Sequence, residues 1–232
     1  MATQSKKLLY RSIPGAREDR IGILLHGFGA DASDLLSVCS YLDPDRRLTW
    51  ILPEAPIDFA DFGIPGGRAW FPATLQELTQ AMTGAYFRNL AGMDPPSLQD
   101  AATLLRNTVY GIARGRDGVE VCVLAGFSQG AMVAVEALLS GLLQPRSLLV
   151  FSGSLIARER WEGLSPPVSP PFYQSHGTED QILPLSGGTA LHRLLAEKGL
   201  SGTFETFPGG HGIPGQALQG AAATVAELLQ EE

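Results

Sequence analysis

Cysteine and histidine are scarce in this chain: it has two of the first and four of the second. Two cysteines cannot form a disulfide framework. Cys39 and Cys122 fall in an expected helix and an expected core strand, where reduced, packed thiols are the favoured reading over a disulfide. No His/Cys cluster has metal-ligand spacing, so no metal is expected. No Gly-rich phosphate loop stands at a strand-to-helix junction. Positive charge is in short supply as well. A formal net charge of -7 makes nucleic acid and anionic membrane surfaces poor electrostatic partners. No apolar run is long enough to span a bilayer. Near the start, Arg11 and then Arg17-Glu18-Asp19-Arg20 interrupt any apolar run that could serve as a signal peptide. These absences together favour a soluble cytoplasmic protein. What the chain does have, at 44% hydrophobic and 18% charged residues over 232 positions, is material for one sizeable core.

Apolar runs alternate with helical patterns, which predicts a mainly parallel sheet with helices on both faces. Expected strands are residues 8–13 at an edge, 21–25, 48–52, 119–125 at the centre, 147–152, 172–176 and 203–207. Expected helices cover 33–42 with Asp31 as N-cap, 98–113 opened by Ser97, 129–139, 186–198 and 216–230. There is no internal repeat and no convincing linker, so a single domain over 1–232 is expected. The 73–94 segment stands out. Leu75, Leu78, Met82, Tyr86, Leu90 and Met93 recur at three- and four-residue steps, which gives one apolar stripe if the segment is helical. Two readings stay open: an ordinary packed helix, or a cap that supplies an acyl-binding wall. Gly84 and Gly92 weaken a single continuous helix.

The stretch that carries most information is Gly126-Phe127-Ser128-Gln129-Gly130. It lies between the apolar run 121–125 and the helical run 131–135. A serine with glycine at both i−2 and i+2, between a strand and a helix, matches the nucleophile elbow of α/β-hydrolases. The turn is strained and lifts the hydroxyl clear of the sheet, and side chains at the flanking positions would strike neighbouring backbone. The helix that follows aims its N–H groups at the site and favours negative charge there.

A serine hydroxyl needs a base, and histidine is the usual one. In this fold the chain order is Ser, then Asp or Glu, then His. His176, His192 and His211 follow Ser128, and His211 alone lies late, in the Gly-rich loop Pro208-Gly209-Gly210-His211-Gly212. Between serine and base the acids are Glu136, Glu159, Glu162, Glu179, Asp180, Glu197 and Glu205. Asp180 sits just past a strand end, where its carboxylate can hold the imidazole tautomer; Glu179 is the runner-up. The oxyanion hole requires two backbone N–H groups. The Gln129 N–H supplies one, and Phe28, in the loop Leu25-His26-Gly27-Phe28-Gly29-Ala30, is expected to supply the other. For His26 a role bracing this loop is favoured over direct chemistry.

Taken together these residues resemble the phospholipase/carboxylesterase family, which includes acyl-protein thioesterases and small bacterial carboxylesterases. The likeness spans nearly the whole chain. It rests on residues 25–31, on Leu52-Pro53-Glu54-Ala55-Pro56, on Arg68-Ala69-Trp70-Phe71, on the serine pentapeptide, on His176-Gly177 through Asp180 and Pro184, and on Gly210-His211. Pro72, where many members carry Asp, and Ala131, where a second glycine is common, depart from the family pattern. The resemblance implies the α/β-hydrolase fold, serine hydrolase activity on carboxylic esters or thioesters, and no cofactor. Trp70, Phe71, Leu78 and Met82 are assigned to substrate binding. The expected partner is a small-molecule or lipid ester, and a homodimer is carried as a further expectation. A catalytically silent small-molecule binding protein on the same fold is the competing reading. A dienelactone-hydrolase-like enzyme expects cysteine where Ser128 stands.

Overall fold

The computed structural model describes residues 7–72, 74–83, 86–113 and 118–230. The chain opens with β1 (Tyr10–Ile13) and β2 (Arg17–Leu25), followed by a short 3-10 turn at Ala32–Leu35 and helix α1 (Leu36–Leu42). Asp31 caps the turn: its side chain accepts from Ser33 N, and Asp34 answers from the third position. Next come β3 (Leu48–Pro53), the two-residue strands β4 (Ile57–Asp58) and β5 (Arg68–Ala69), and α2 (Leu75–Met82). A 3-10 stretch at Tyr86–Gly92 leads to α3 (Pro96–Ala113), β6 (Glu120–Phe127) and α4 (Gln129–Leu139). The rest is β7 (Ser147–Phe151), α5 (Arg158–Gly163), β8 (Phe172–Gly177), α6 (Leu185–Glu197), β9 (Gly202–Phe207) and α7 (Gly215–Gln230).

Seven strands form one sheet in the order β1-β3-β2-β6-β7-β8-β9. Only β1 runs antiparallel, against β3, at the edge. The inner strands are buried on both faces, so they read as continuous apolar runs rather than alternating ones. Alternation survives in which core each side chain enters. In β7, Leu148 and Val150 join one apolar cluster, while Leu149 and Phe151 join the other. The first cluster lies under α3, α4 and α6, the second under α1 and α7. Helix α4 is buried along its whole length. It packs between the sheet and α3, which is why its sequence is apolar all round.

The structure departs from sequence expectation in three places. The segment around Glu159 and Glu162, where no helix was expected, contains helix α5, anchored by the fully buried Trp161. A two-stranded ribbon, β4 with β5, pairs Ile57 with Ala69 and Asp58 with Arg68; two-residue strands are too short to leave a periodic signal. The 73–94 stripe does not act as one face. It divides into α2 and the 3-10 stretch, while residues 73, 84 and 85, including the expected helix weakener Gly84, lie outside the described residues. Leu78, Tyr86 and Leu90 are buried, whereas Leu75 and Met82 are half exposed.

Candidate active site

The β6–α4 junction shows why its glycines are needed. Ser128 has φ 55 and ψ −117, a conformation L residues rarely hold. A Cβ on Gly126 would come within 2.4 Å of the Gly130 backbone, and one on Gly130 within 2.3 Å of the Leu25 carbonyl oxygen. The strained serine is held from both sides. Its N–H donates to Phe151 O at 2.8 Å, and its carbonyl accepts from Ala131 N at 3.1 Å. The result is a serine beside the sheet end, lining a cleft of about 620 Å³.

Gly27, Phe28, Phe127, Ser128, Leu183 and His211 share that cleft wall. His211 follows β9 and packs its ring against Phe127, with centroids 4.9 Å apart. Its Nδ1 donates to Asp180 Oδ2 at 2.6 Å. Nε2 is thereby left as the acceptor nitrogen of the ring. The other Asp180 oxygen accepts from Ile182 N and Leu183 N, both at 2.9 Å. Burial alone would raise the Asp180 pKa. The hydrogen bonds from His211, Leu183 and Ile182 outweigh it and hold the carboxyl below its ordinary value. Asp180 is thus an anion placed directly behind an imidazole.

None of the alternatives weighed from sequence lines the cleft. Glu179 is exposed, and its backbone N–H donates to Gly209 O at 2.9 Å. Glu136 is buried on α4 and accepts from Arg160 Nη1 at 2.7 Å and Trp161 Nε1 at 2.6 Å. Glu205 accepts from Tyr173 Oη at 2.5 Å. His176 is fully buried behind Asp180: its Nε2 bonds Leu183 O at 2.8 Å and lies 3.4 Å from Asp180 Oδ2. His192 lies between Phe172 and Phe204, where burial lowers its pKa.

Helix α4 starts at Gln129, so the Gln129 N–H has no partner within its own helix. Phe28 stands in the 26–30 loop, with its ring against Phe59 and Phe87. The loop is tied down by backbone pairing with β5: Gly29 N donates to Arg68 O at 2.8 Å, and Arg68 N to Ala30 O at 3.1 Å. His26, only 1% exposed, braces it from within. Nδ1 bonds Gly27 O at 2.8 Å and Nε2 accepts from Ala55 N at 3.0 Å. Burial, partly countered by the bond to Gly27 O, pulls the His26 pKa below its ordinary value.

Of the four side chains assigned to substrate binding, one reaches the cleft. Met82 lines it with Ala81, Thr83 and Phe87. Leu78, one turn earlier in α2, is fully buried beside Phe59 and Ala69. Trp70 and Phe71 are also fully buried, within the main core. The correction has a simple cause: aromatic and aliphatic residues beside a site have the same composition whether they face it or support it. Ile182 and Leu183, which do line the cleft, were missed. Their position directly after Asp180 was the available signal. Cys39 and Cys122 are free and buried, and burial pushes both thiols up to about 12.

A mostly parallel sheet flanked by helices, with a serine at the tight turn between its central strand and the next helix, is the α/β-hydrolase fold. Residues 13–229 match the profile described as phospholipase/carboxylesterase, and the chain belongs to that family. It is a carboxylic ester hydrolase. It is 26% identical to the acyl-protein thioesterase 1 of Eremothecium gossypii over 222 residues, 90% of this chain and 88% of that protein. It is 28% identical to the carboxylesterase SOBER1 of Arabidopsis thaliana over 211 residues, 84% of each. Among solved structures it resembles esterase PE8, with TM-score 0.77 and 27% identity, covering 96% of this chain and 99% of that one. Among the described residues no helix is long and apolar enough to cross a membrane.

Proposed function

We propose that the protein hydrolyses carboxylic esters or thioesters through an acyl-enzyme on Ser128, with His211 as base and Asp180 as its partner. The observation that carries this reading is a strained serine and an imidazole on one cleft wall, with Asp180 2.6 Å behind the imidazole. Ser128 Oγ bonds to the acyl carbon while its proton passes to His211 Nε2. The carbonyl π pair moves onto oxygen, where the Phe28 and Gln129 N–H groups stabilise it. The pair then returns, the bond to the leaving alcohol or thiol breaks, and His211 gives that group its proton. Water repeats the sequence and releases the acid.

The cleft suits an uncharged acyl group. Among the described residues lining it are Phe28, Ala81, Met82, Phe87 and Ile182, and none is Lys, Arg, Asp or Glu. A small-molecule ester, a lysophospholipid and an acyl-protein all present such a chain. The chain acts as a single domain in a cytoplasmic setting, with α2 as part of the acyl wall rather than a separate cap. Ser128→Ala is expected to lower kcat by about 10⁴-fold or more and to abolish labelling by a fluorophosphonate probe. A parent protein that neither labels at Ser128 nor turns over p-nitrophenyl esters is the silent binding protein instead.

A further inference from the structure

The geometry points to the Gln129 side chain as a positioning group that sets the two oxyanion donors relative to each other; this rests on the oxyanion assignment above. The two N–H groups belong to segments far apart in sequence, the 26–30 loop and the start of α4. Pairing of β2 with β6, Leu25 beside Gly126, brings these segments side by side, and a side-chain tie is what can fix the aim of the loop N–H against that of the helix. The Gln129 carboxamide, 1% exposed, joins them through residues 70–71, which follow β5. Its Oε1 accepts from Trp70 N at 2.8 Å, and its Nε2 donates to Phe71 O. A flipped amide would set donor against donor and acceptor against acceptor, so its orientation is determined by the backbone it meets. Trp70 continues the connection: its Nε1 donates to His26 O at 2.8 Å, at the base of the Phe28 loop. Arg68, two residues earlier, pairs with Gly29 and Ala30 on the same loop, and its Nε donates to Ala55 O at 2.6 Å.

One residue thus presents its own N–H to the reacting carbonyl and uses its side chain to hold the support of the other donor. The buried Trp70 and Phe71 belong to this connection and not to the acyl pocket. A donor displaced by about 1 Å costs about a hundredfold in rate. Misplacement affects the tetrahedral oxyanion far more than the ground-state ester, because the developing charge is what the donors stabilise.

The test uses Gln129→Met, which is close in volume and can bond neither backbone group, and Trp70→Phe, which removes the indole N–H together with the volume of its five-membered ring. Three quantities are measured on each: kcat and KM with p-nitrophenyl hexanoate, inhibition by an alkyl trifluoromethyl ketone, and melting temperature. Gln129→Met is expected to lose about 10- to 100-fold in kcat with KM within about threefold of the parent. The ketone forms a hemiketal oxyanion in the hole, so its affinity should fall by the same factor as kcat/KM. Trp70→Phe should show the same pattern at about tenfold. Loss of stability alone moves the melting temperature and leaves kcat per folded molecule unchanged; that result, or a rise in KM with kcat intact, overturns the proposal. If Gln129→Met does not fold, Trp70→Phe decides by the same criterion. Fluorophosphonate labelling of the parent separates the two levels. A labelled parent with fully active variants removes the clamp alone, and an unlabelled parent removes the serine mechanism beneath it.

Discussion

Two regions border the same cleft and are built in opposite ways. The first is the junction of β6 and α4 with the 26–30 loop and residues 68–71. The His26, Trp70 and Gln129 side chains there each have fixed hydrogen-bond partners, and Gly126 and Gly130 admit no Cβ. The second is the rim formed by the end of α2 and residues 181–184. Met82 is 53% exposed and Ile182 51%, and both line the cleft with their apolar side chains. On the proposed function, the contrast separates two duties. Transition-state charge is stabilised only by groups held in place before the reaction, so that region is over-determined. Recognition of an apolar chain is non-directional and scales with area, so the rim tolerates loose packing.

The strongest challenge to the comparison comes from the acid. Asp180→Asn keeps the shape and loses tautomer control, and is expected to lower kcat by about 10³–10⁴-fold. Glu179→Gln, one residue away and exposed, should leave kcat within about threefold. Steady-state kinetics on the pair decides it, and a larger loss from Glu179→Gln would transfer the role. Next in size is Leu78→Ala. Leu78 belongs with the rigid region, so its truncation should destabilise by about 2–5 kcal/mol with little effect on the chain-length profile. Denaturant melts read the first quantity and a p-nitrophenyl ester series the second.

Acid should weaken the rigid region through His26. Its folded pKa lies below the ordinary 6.5, so the unfolded chain takes up a proton that the folded one refuses. Stability is therefore full above about pH 6.5 and falls as pH drops below it toward the folded pKa. His192 adds a term of the same sign. His26→Gln should be less stable at pH 7, with a shallower loss between about pH 7 and 5; melting curves across that range measure the difference. An unchanged slope would mean that His26 does not carry this dependence. The smallest effect belongs to the rim. Each acyl CH₂ covered by Met82 contributes up to about 0.8 kcal/mol. Met82→Ser should flatten the preference for longer acyl chains in kcat/KM while sparing acetyl esters and melting temperature. A profile that keeps its slope would sever the rim from specificity.

Reading the chain alone located the central strand, the helix at 129–139 to the residue, and Ser128 at their junction. Those features are local. A buried strand, a tight turn and an all-apolar helix each impose residue types on contiguous positions. The pairing of His211 with Asp180 was legible because chain order and strand ends restrict the choice, even though Glu179 stood next to it. Which face of a segment meets the cleft was not legible. Leu78 and Met82 lie four residues apart on one helix with similar side chains, yet one is fully buried and the other half exposed. Trp70 and Phe71 could be read as pocket lining until their backbone met the Gln129 carboxamide. Local pattern records that an apolar side chain must leave water. Only the packing of α2, β5 and α4 against one another determines whether protein or substrate covers it.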